Sequence, residues 1–122
     1  MDERRTLRIS EAVREELAEI IGFEMDDPRL VDVAVTDVSV SPDSRRAAVK
    51  VACRGNERKQ NQAIAALEHA AGYLRRELAF RLLLRHVPEL QFDLDKNPEV
   101  ESRLDFLLRR ARKSRGRHEN SP

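Results

Sequence analysis

Residues 70–78 read Ala-Ala-Gly-Tyr-Leu-Arg-Arg-Glu-Leu, and residues 84–93 read Leu-Arg-His-Val-Pro-Glu-Leu-Gln-Phe-Asp. This pattern predicts a basic helix that contains a glycine, ends before Pro88 and is followed by a short strand. A glycine inside a helix costs about 1 kcal/mol relative to alanine, so Gly72 indicates a kink, close packing of the helix on a sheet, or a binding role. We therefore expect Gly72→Leu to straighten or crowd this junction.

The helical pattern extends to both sides of this glycine, over residues 57–85. Apolar residues recur there at helical spacing, and alanines fill much of the remainder. A single helix of this length would be unusual in a small domain. The sequence therefore predicts two helices joined by a kink around Ala70–Gly72, the second of which is stopped by Val87-Pro88.

Upstream of this region, the pattern predicts one helix and then an antiparallel hairpin. Apolar residues recur at steps of three and four over residues 6–21, and Gly22 predicts the end of that helix. Residues 31–41 and 46–54 alternate between apolar and polar side chains, which is typical of strands. The alternation of the first strand changes phase near Thr36-Asp37, so we expect a bulge there.

Downstream, residues 90–94 predict a third strand, and Asn97-Pro98-Glu99 predicts the start of a short C-terminal helix. We therefore predict an α+β fold of order α-β-β-α-kink-α-β, in which the helices cover one face of a three-stranded sheet. Residues 1–108 are expected to form this single domain. Residues 109–122 lack apolar periodicity and are rich in arginine, so they are expected to be a disordered basic tail.

The 122 residues have a net charge of only +1, but the charge is segregated along the chain. Residues 1–43 have a net charge of −7, residues 44–88 of +7 and residues 89–122 of +1. Such segregation predicts a basic face opposite an acidic one, which is typical of proteins that bind nucleic acid. Only five side chains are aromatic, so a platform of stacked bases is not expected.

The sequence disfavours several other classes of protein. A single cysteine excludes an internal disulfide, and the absence of a signal-peptide pattern or long apolar run predicts a cytoplasmic protein without membrane attachment. The three histidines lack metal-ligand spacing, and the carboxylates of Glu89, Asp93 and Asp95 have no accompanying nucleophile. We therefore expect neither an enzyme nor a metal ion or other cofactor.

Arginines of the second predicted helix are candidate phosphate ligands, because guanidinium groups stay charged and bind phosphate bidentately. At about 100° per residue, Arg75, Arg81 and Arg85 fall on one side of a helix, with Arg76 near its edge. The alternative is a solvated helix face with ordinary salt bridges, for instance between Arg81 and Glu77. The scarcity of acidic side chains in this region favours RNA.

Two further groups of cations are candidate RNA contacts. Lys50 and Arg54 lie on the polar side of the hairpin, where they either extend the basic face or belong to an ordinary solvent-facing strand. The tail has six basic residues that can bind phosphate without sequence preference. They are Arg109, Arg110, Arg112, Lys113, Arg115 and Arg117.

Several short motifs follow one another in a characteristic order between about Arg8 and Leu108. They include Asp27-Pro28-Arg29-Leu30, Ala48-Val49-Lys50-Val51, Leu74-Arg75-x-Glu77-Leu78 and Leu84-Arg85-x-x-Pro88-Glu89-Leu90-x-Phe92-x-x-Asp95. In this order and spacing the sequence resembles the ribosome-binding factor A family of bacterial small-subunit assembly factors. The resemblance implies a type II KH-like fold, in which an Ala-x-Gly kink replaces the usual Gly-x-x-Gly loop.

The resemblance also implies a function. Ala70-Ala71-Gly72 matches the family's kink, so Ala70 and Gly72 join the candidate RNA contacts. The expected partner is the free, immature 30S small ribosomal subunit with its 16S rRNA. The protein is expected to support maturation of this rRNA without catalysing a reaction. It is expected to act as a monomer. The alternatives are a structural protein of the small subunit and a general RNA-binding protein.

Overall fold

The computed structural model describes residues 3–97, 99–100 and 103–109. Its sheet consists of the strands β1 (Val33–Val40), β2 (Arg46–Cys53) and β3 (Glu89–Leu94). Strand β2 is central, antiparallel to β1 and parallel to β3. The main helices are α1 (Glu3–Glu19), α2 (Glu57–His69) and α3 (Ala71–Leu82). The predicted α+β fold and its α-β-β-α-kink-α-β order are confirmed.

One face of the sheet holds the core, because side chains alternate between the two faces of each strand. In β2, Ala47, Val49 and Val51 are fully buried, whereas Lys50 between them is exposed. The helices bring their apolar stripes to this same face. Their fully buried side chains include Val13 and Leu17 of α1, Leu67 of α2, and Leu74 and Leu78 of α3. Burying each such aliphatic side chain stabilises the fold by about 1.5–3 kcal/mol.

The predicted bulge lies in β1, where the pairing with β2 shifts between Val35 and Asp37. The intervening Thr36 donates a hydrogen bond from its hydroxyl to Oδ2 of Asp95, just beyond β3, at 2.7 Å. The backbone N–H of Asn97 donates to Oδ1 of Asp95 at 3.0 Å. These two donors hold the pKa of the Asp95 carboxyl below its ordinary value. The bulge therefore links the first strand to the end of the third.

The stabilising contribution of the Asp95 carboxylate is expected to be lost in acid. A carboxyl whose pKa is lowered by folding stabilises the fold above its unfolded pKa of about 3.9, and this contribution is lost as the pH falls through the folded value. The asparagine of Asp95→Asn does not titrate, so the free energies of unfolding of the two chains should converge as the pH falls below about 4. Urea denaturation across this range measures the effect, and a constant difference between the chains would contradict it.

The pattern predicted that helix α1 ends at Gly22, and the structure differs. The α-helical part ends at Glu19, and a wider π-helical turn follows over Ile20–Glu24. The N–H of Met25 closes this turn by donating to the carbonyl of Ile20 at 3.0 Å. Both Ile20 and its neighbour Ile21 are buried, so the wider turn accommodates two consecutive isoleucines in the core.

Helix α3 is shorter than the helical region predicted to residue 85. It ends at Leu82, because Leu83 adopts a left-handed backbone conformation (φ 51°, ψ 38°) that a right-handed helix does not continue. Residues 84–88 then connect α3 to β3. Arg85 therefore lies in a connection, and it does not share a helix face with Arg75.

The predicted short C-terminal helix covers the opposite face of the sheet. Helical residues 99–100 and 103–109, hereafter the C-terminal helical segment, bury Leu104 and Leu108 against Ala52 of β2. Ala52 points away from the main core, since it alternates with core residues along the strand. Before the segment, Oδ1 of Asn97 accepts a hydrogen bond at 3.0 Å from the N–H two residues on, as the predicted asparagine cap requires.

Candidate nucleic-acid interface

Helices α2 and α3 meet at Ala70, which is the kink predicted around Ala70–Gly72. The backbone of Ala70 (φ −86°, ψ 0°) ends α2, while its N–H still donates to the carbonyl of Ala66 at 3.0 Å. Its own carbonyl accepts from the N–H of Leu74 at 2.9 Å, at the start of α3. The bridge conformation of an alanine, and not a glycine, therefore produces the kink.

Gly72 is exposed in the first turn of α3. Among the residues that the structure describes, a Cβ atom added here would come no closer than 4.0 Å to a neighbour, Nη1 of Arg76. Packing on the sheet does not explain this glycine, and the expected crowding in Gly72→Leu is wrong because the site is open. The glycine leaves bare backbone at the surface, which permits close approach of a partner.

Gly72→Ala is therefore expected to stabilise the fold, by about 0.5–1 kcal/mol, because alanine is the better helix former and its methyl group meets open space. Urea or thermal unfolding measures this change. A less stable variant would show that the fold itself requires the glycine. If binding weakens while stability rises, a partner approaches the backbone here.

Helix α3 presents a mixed aromatic and basic face to solvent. Tyr73, Arg76 and Phe80 recur at steps of three and four residues, which places them on one side of the helix. Phe80 is 79% exposed, and Leu83 just beyond the helix is 87% exposed. Although the composition does not favour a base-stacking platform, two of the five aromatic rings are thus accessible beside an arginine. Exposed apolar side chains in such a group are typical of binding surfaces.

Arg81 belongs to an ion-pair network within the fold. Its guanidinium donates to both carboxylate oxygens of Glu24, at 2.7 and 2.6 Å, and to Glu77 and Glu16 at 3.3 and 3.4 Å. Its side chain is only 21% exposed. The hydrogen bonds that Arg81 donates to Glu24, and then those to Glu77 and Glu16, raise the pKa of Arg81 above its ordinary value. The alternative Arg81–Glu77 pair is present, and the network commits the Arg81 guanidinium to carboxylates of the fold, which favours a structural role over a contact with RNA.

The other three arginines of this region differ in their surroundings. Arg75 is exposed but donates to the carbonyl of Val87 at 3.0 Å, which fixes it against the α3–β3 connection. Arg76 and Arg85 are exposed and form no ion pair with any residue in the described ranges. The common face predicted for Arg75, Arg81 and Arg85 is therefore absent. Arg75 lies on the surface of α3, Arg81 lies in an ion-pair network within the fold, and Arg85 lies in the α3–β3 connection.

Lys50 and Arg54 do not extend the basic face. Lys50 lies on the outer face of β2, in register with Asp37 of β1 and Asp93 of β3. Arg54 forms an ion pair with Asp105 of the C-terminal helical segment. Both cations therefore lie near carboxylates on the side of the sheet that faces away from α3, because alternation along β2 points its core residues toward the helices.

The sequence patterns missed a group of basic residues around Arg75. Arg5 of α1, Arg45 before β2 and His86 of the α3–β3 connection line the same cleft as Arg75. They come from separate parts of the chain, so no local periodicity links them. Arg5 also lies in residues 1–43, whose net charge is −7, so a count of charge along the sequence does not indicate a basic site there.

The predicted tail lies almost entirely outside the described residues. Its first residue, Arg109, is helical and exposed. The remaining five basic residues, Arg110, Arg112, Lys113, Arg115 and Arg117, fall in the range that the structure does not describe. Their contact with phosphate stays a prediction.

Within residues 3–97, 99–100 and 103–109, no group of three or more histidine, cysteine, aspartate or glutamate side chains is placed to hold a metal ion. No helix in that part of the chain is long and apolar enough to cross a membrane. The surface around the kink offers guanidinium groups and aromatic rings, which bind nucleic-acid phosphates and bases respectively.

Comparisons with known proteins agree on one family. The family model described as ribosome-binding factor A matches residues 5–108. A Solibacter usitatus protein named ribosome-binding factor A is 77% identical over 120 residues, which cover 98% of each chain. The crystal structure of ribosome-binding factor A from Thermus thermophilus is similar with a TM-score of 0.67 at 30% identity, covering 73% of this chain and 93% of the other.

A further similarity concerns a complex. A homology model of the Thermus thermophilus ribosome-binding factor A was fitted into the cryo-electron-microscopy map of its complex with the 30S subunit. It matches this chain with a TM-score of 0.58 at 28% identity, covering 80% of this chain and 98% of the other. The similarity extends over most of the two chains.

Proposed function

This chain belongs to the ribosome-binding factor A family, and we propose that it binds the immature small ribosomal subunit and supports maturation of the 16S rRNA. It would act in the cytoplasm as a monomer, without a cofactor and without catalysing a reaction. The observation that carries this proposal is the similarity to a protein fitted into the map of a 30S complex. The surface chemistry around the kink supports it.

The kink and the exposed face of α3 are the proposed rRNA contacts. Arg76 and Arg85 present guanidinium groups that no carboxylate within the described ranges occupies, so they can bind phosphate. Tyr73 and Phe80 lie beside Arg76 and offer ring faces to unpaired bases. The bare backbone at Gly72 leaves room for the sugar-phosphate chain.

Residues 110–122 would add contacts that do not depend on base sequence. Their five cations can neutralise phosphates and release bound counterions, which favours association at low salt. The kink would take the position that a Gly-x-x-Gly loop holds in a type II KH-like domain. The proposed interface therefore combines a shaped surface with an electrostatic one.

Sedimentation of a cell lysate tests this function. The tagged chain is expected to migrate with free 30S subunits and to be absent from translating ribosomes. A structural protein of the small subunit would be present in both fractions, and a general RNA-binding protein would spread over all RNA-containing fractions. Either of those distributions would contradict the proposal.

Removal of the chain from cells tests the role in maturation. Precursors of 16S rRNA and free small subunits are expected to accumulate, and the wild-type chain supplied in trans should restore maturation. Normal 16S rRNA ends in cells that lack the chain would contradict a role in rRNA maturation while leaving subunit binding intact.

A further inference from the structure

A cleft of about 770 Å³ lies where the first turn of α1, the β1–β2 turn and the α3–β3 connection meet. Three arginines line it, Arg5, Arg45 and Arg75, together with His86. Its volume falls within the roughly 300–1,000 Å³ that is typical of ligand sites. Arginines from three separate elements line this one cleft, and such a concentration of cations suits an anionic ligand.

These basic side chains are available to a ligand. None of the four forms an ion pair with another residue in the described part of the chain. Arg75 uses Nη2 to hold the carbonyl of Val87 at 3.0 Å, which anchors its guanidinium at the wall of the cleft. A guanidinium has five N–H donors, so most of those on Arg75 remain free for a second acceptor.

Two acidic residues, Asp43 and Glu89, also line the cleft. Asp43 already accepts a hydrogen bond from the hydroxyl of Ser41 at 2.6 Å and another from the backbone N–H of Arg45 at 3.1 Å. These bonds hold the pKa of Asp43 below its ordinary value and commit its carboxylate to its own turn. Asp43 stays ionised, but the three arginines that line the cleft outnumber its two carboxylates, so its net charge is +1 with His86 neutral.

We propose that this cleft binds a phosphodiester group of the rRNA backbone, with Arg5 and Arg45 as its main ligands and Arg75 at the wall. The proposal rests on the proposed function and adds a contact separate from the exposed face of α3. A tetrahedral phosphate accepts hydrogen bonds from several directions, which suits guanidinium groups that come from three elements. A planar carboxylate of an acidic protein segment would engage fewer of them.

The test uses the full chain with Arg5→Gln and Arg45→Gln together, and binding to purified 30S subunits and to protein-free 16S rRNA is measured over a range of salt concentrations. The matched control is Arg14→Gln with Arg29→Gln, which removes the same charge from two arginines that pair locally with Glu11 and Asp27. The cleft variant should bind both partners about tenfold more weakly at low salt, with a log–log salt slope shallower by about 1.5 units. The control should change neither quantity, and both variants should melt like the wild type.

Each other outcome overturns the proposal. Equal losses in the cleft variant and the control would show only a general effect of charge. Weaker binding to subunits with unchanged binding to free rRNA would assign the cleft to an acidic protein segment. If both variants bind like the wild type, the cleft takes no phosphate although the proposed function stands, whereas a wild-type chain that binds no subunits would overturn both.

Discussion

Replacing Arg81 with glutamine is expected to lower the free energy of unfolding by about 2 kcal/mol. The substitution removes charge-assisted hydrogen bonds to Glu24 and leaves three carboxylates near one another without their cation. Repulsion among them is screened by salt, so the loss should be smaller in about 1 M NaCl than at low ionic strength. Urea denaturation at two salt concentrations measures both effects. An unchanged stability at low salt would contradict the structural role of Arg81.

The matched variant for this comparison is Arg76→Gln with Arg85→Gln. These side chains are exposed and form no ion pair in the described ranges, so the fold should keep its stability within about 0.5 kcal/mol. Binding to 30S subunits should weaken, with a salt slope shallower by about 1.5 units if both contact phosphate. Arg81→Gln should leave the salt slope unchanged. The two variants thus separate a structural arginine from two proposed binding arginines that lie five residues before it and four residues after it in the sequence.

Replacing two leucines of the C-terminal helical segment with alanine should lower the free energy of unfolding by more than Arg81→Gln does. Leu104 is 8% exposed and Leu108 2% exposed, against Ala52 on the outer face of β2. Replacing a buried leucine with alanine costs about 2 kcal/mol or more, so Leu104→Ala with Leu108→Ala should lower the free energy of unfolding by about 4 kcal/mol. The melting temperature should fall by roughly 15 °C or more.

The control for this prediction is a chain that ends after Arg109. It keeps both leucines and removes only residues 110–122, so circular dichroism and melting should match the full chain. Binding to 30S subunits should weaken at low salt, because five cations are lost. If the double leucine variant melts like the wild type, the helical segment does not belong to the cooperative core. If the shortened chain is destabilised, the predicted tail has a structural role.

The order of helices and strands could be predicted because it follows from patterns that are local in the chain. The phase change near Thr36 marked the bulge, and the long helical pattern interrupted near Gly72 marked the kink. Such patterns report which side chains must share a face within one element. The ends of the elements were less well predicted, since Leu83 ended α3 early and the π-helical turn extended α1.

The roles of the cations could not be predicted in the same way, because a charged side chain is equally compatible with solvent, an ion pair or a ligand. From the sequence, Arg81 and Arg76 were equal candidates for RNA contacts, and Arg54 and Lys50 were candidates that an ordinary solvent-facing strand explained as well. The structure separated them, since it placed a carboxylate beside each of Arg81, Arg54 and Lys50. The exposed aromatic rings and open Gly72 beside Arg76 likewise became visible only in three dimensions.

By itself, the sequence determined the α+β order, the faces of the strands, the bulge and the kinked helix pair, because side-chain periodicity and turn-forming residues act within a few positions. Tertiary structure decided which arginines are free, since Glu24 and Glu16 lie 57 and 65 residues from Arg81 in the chain. It also brought Arg5 and Arg45 to Arg75 and placed the C-terminal helical segment on the outer face of the sheet. Ion pairs and clefts depend on distances in space, and folding sets these distances by packing the apolar faces together.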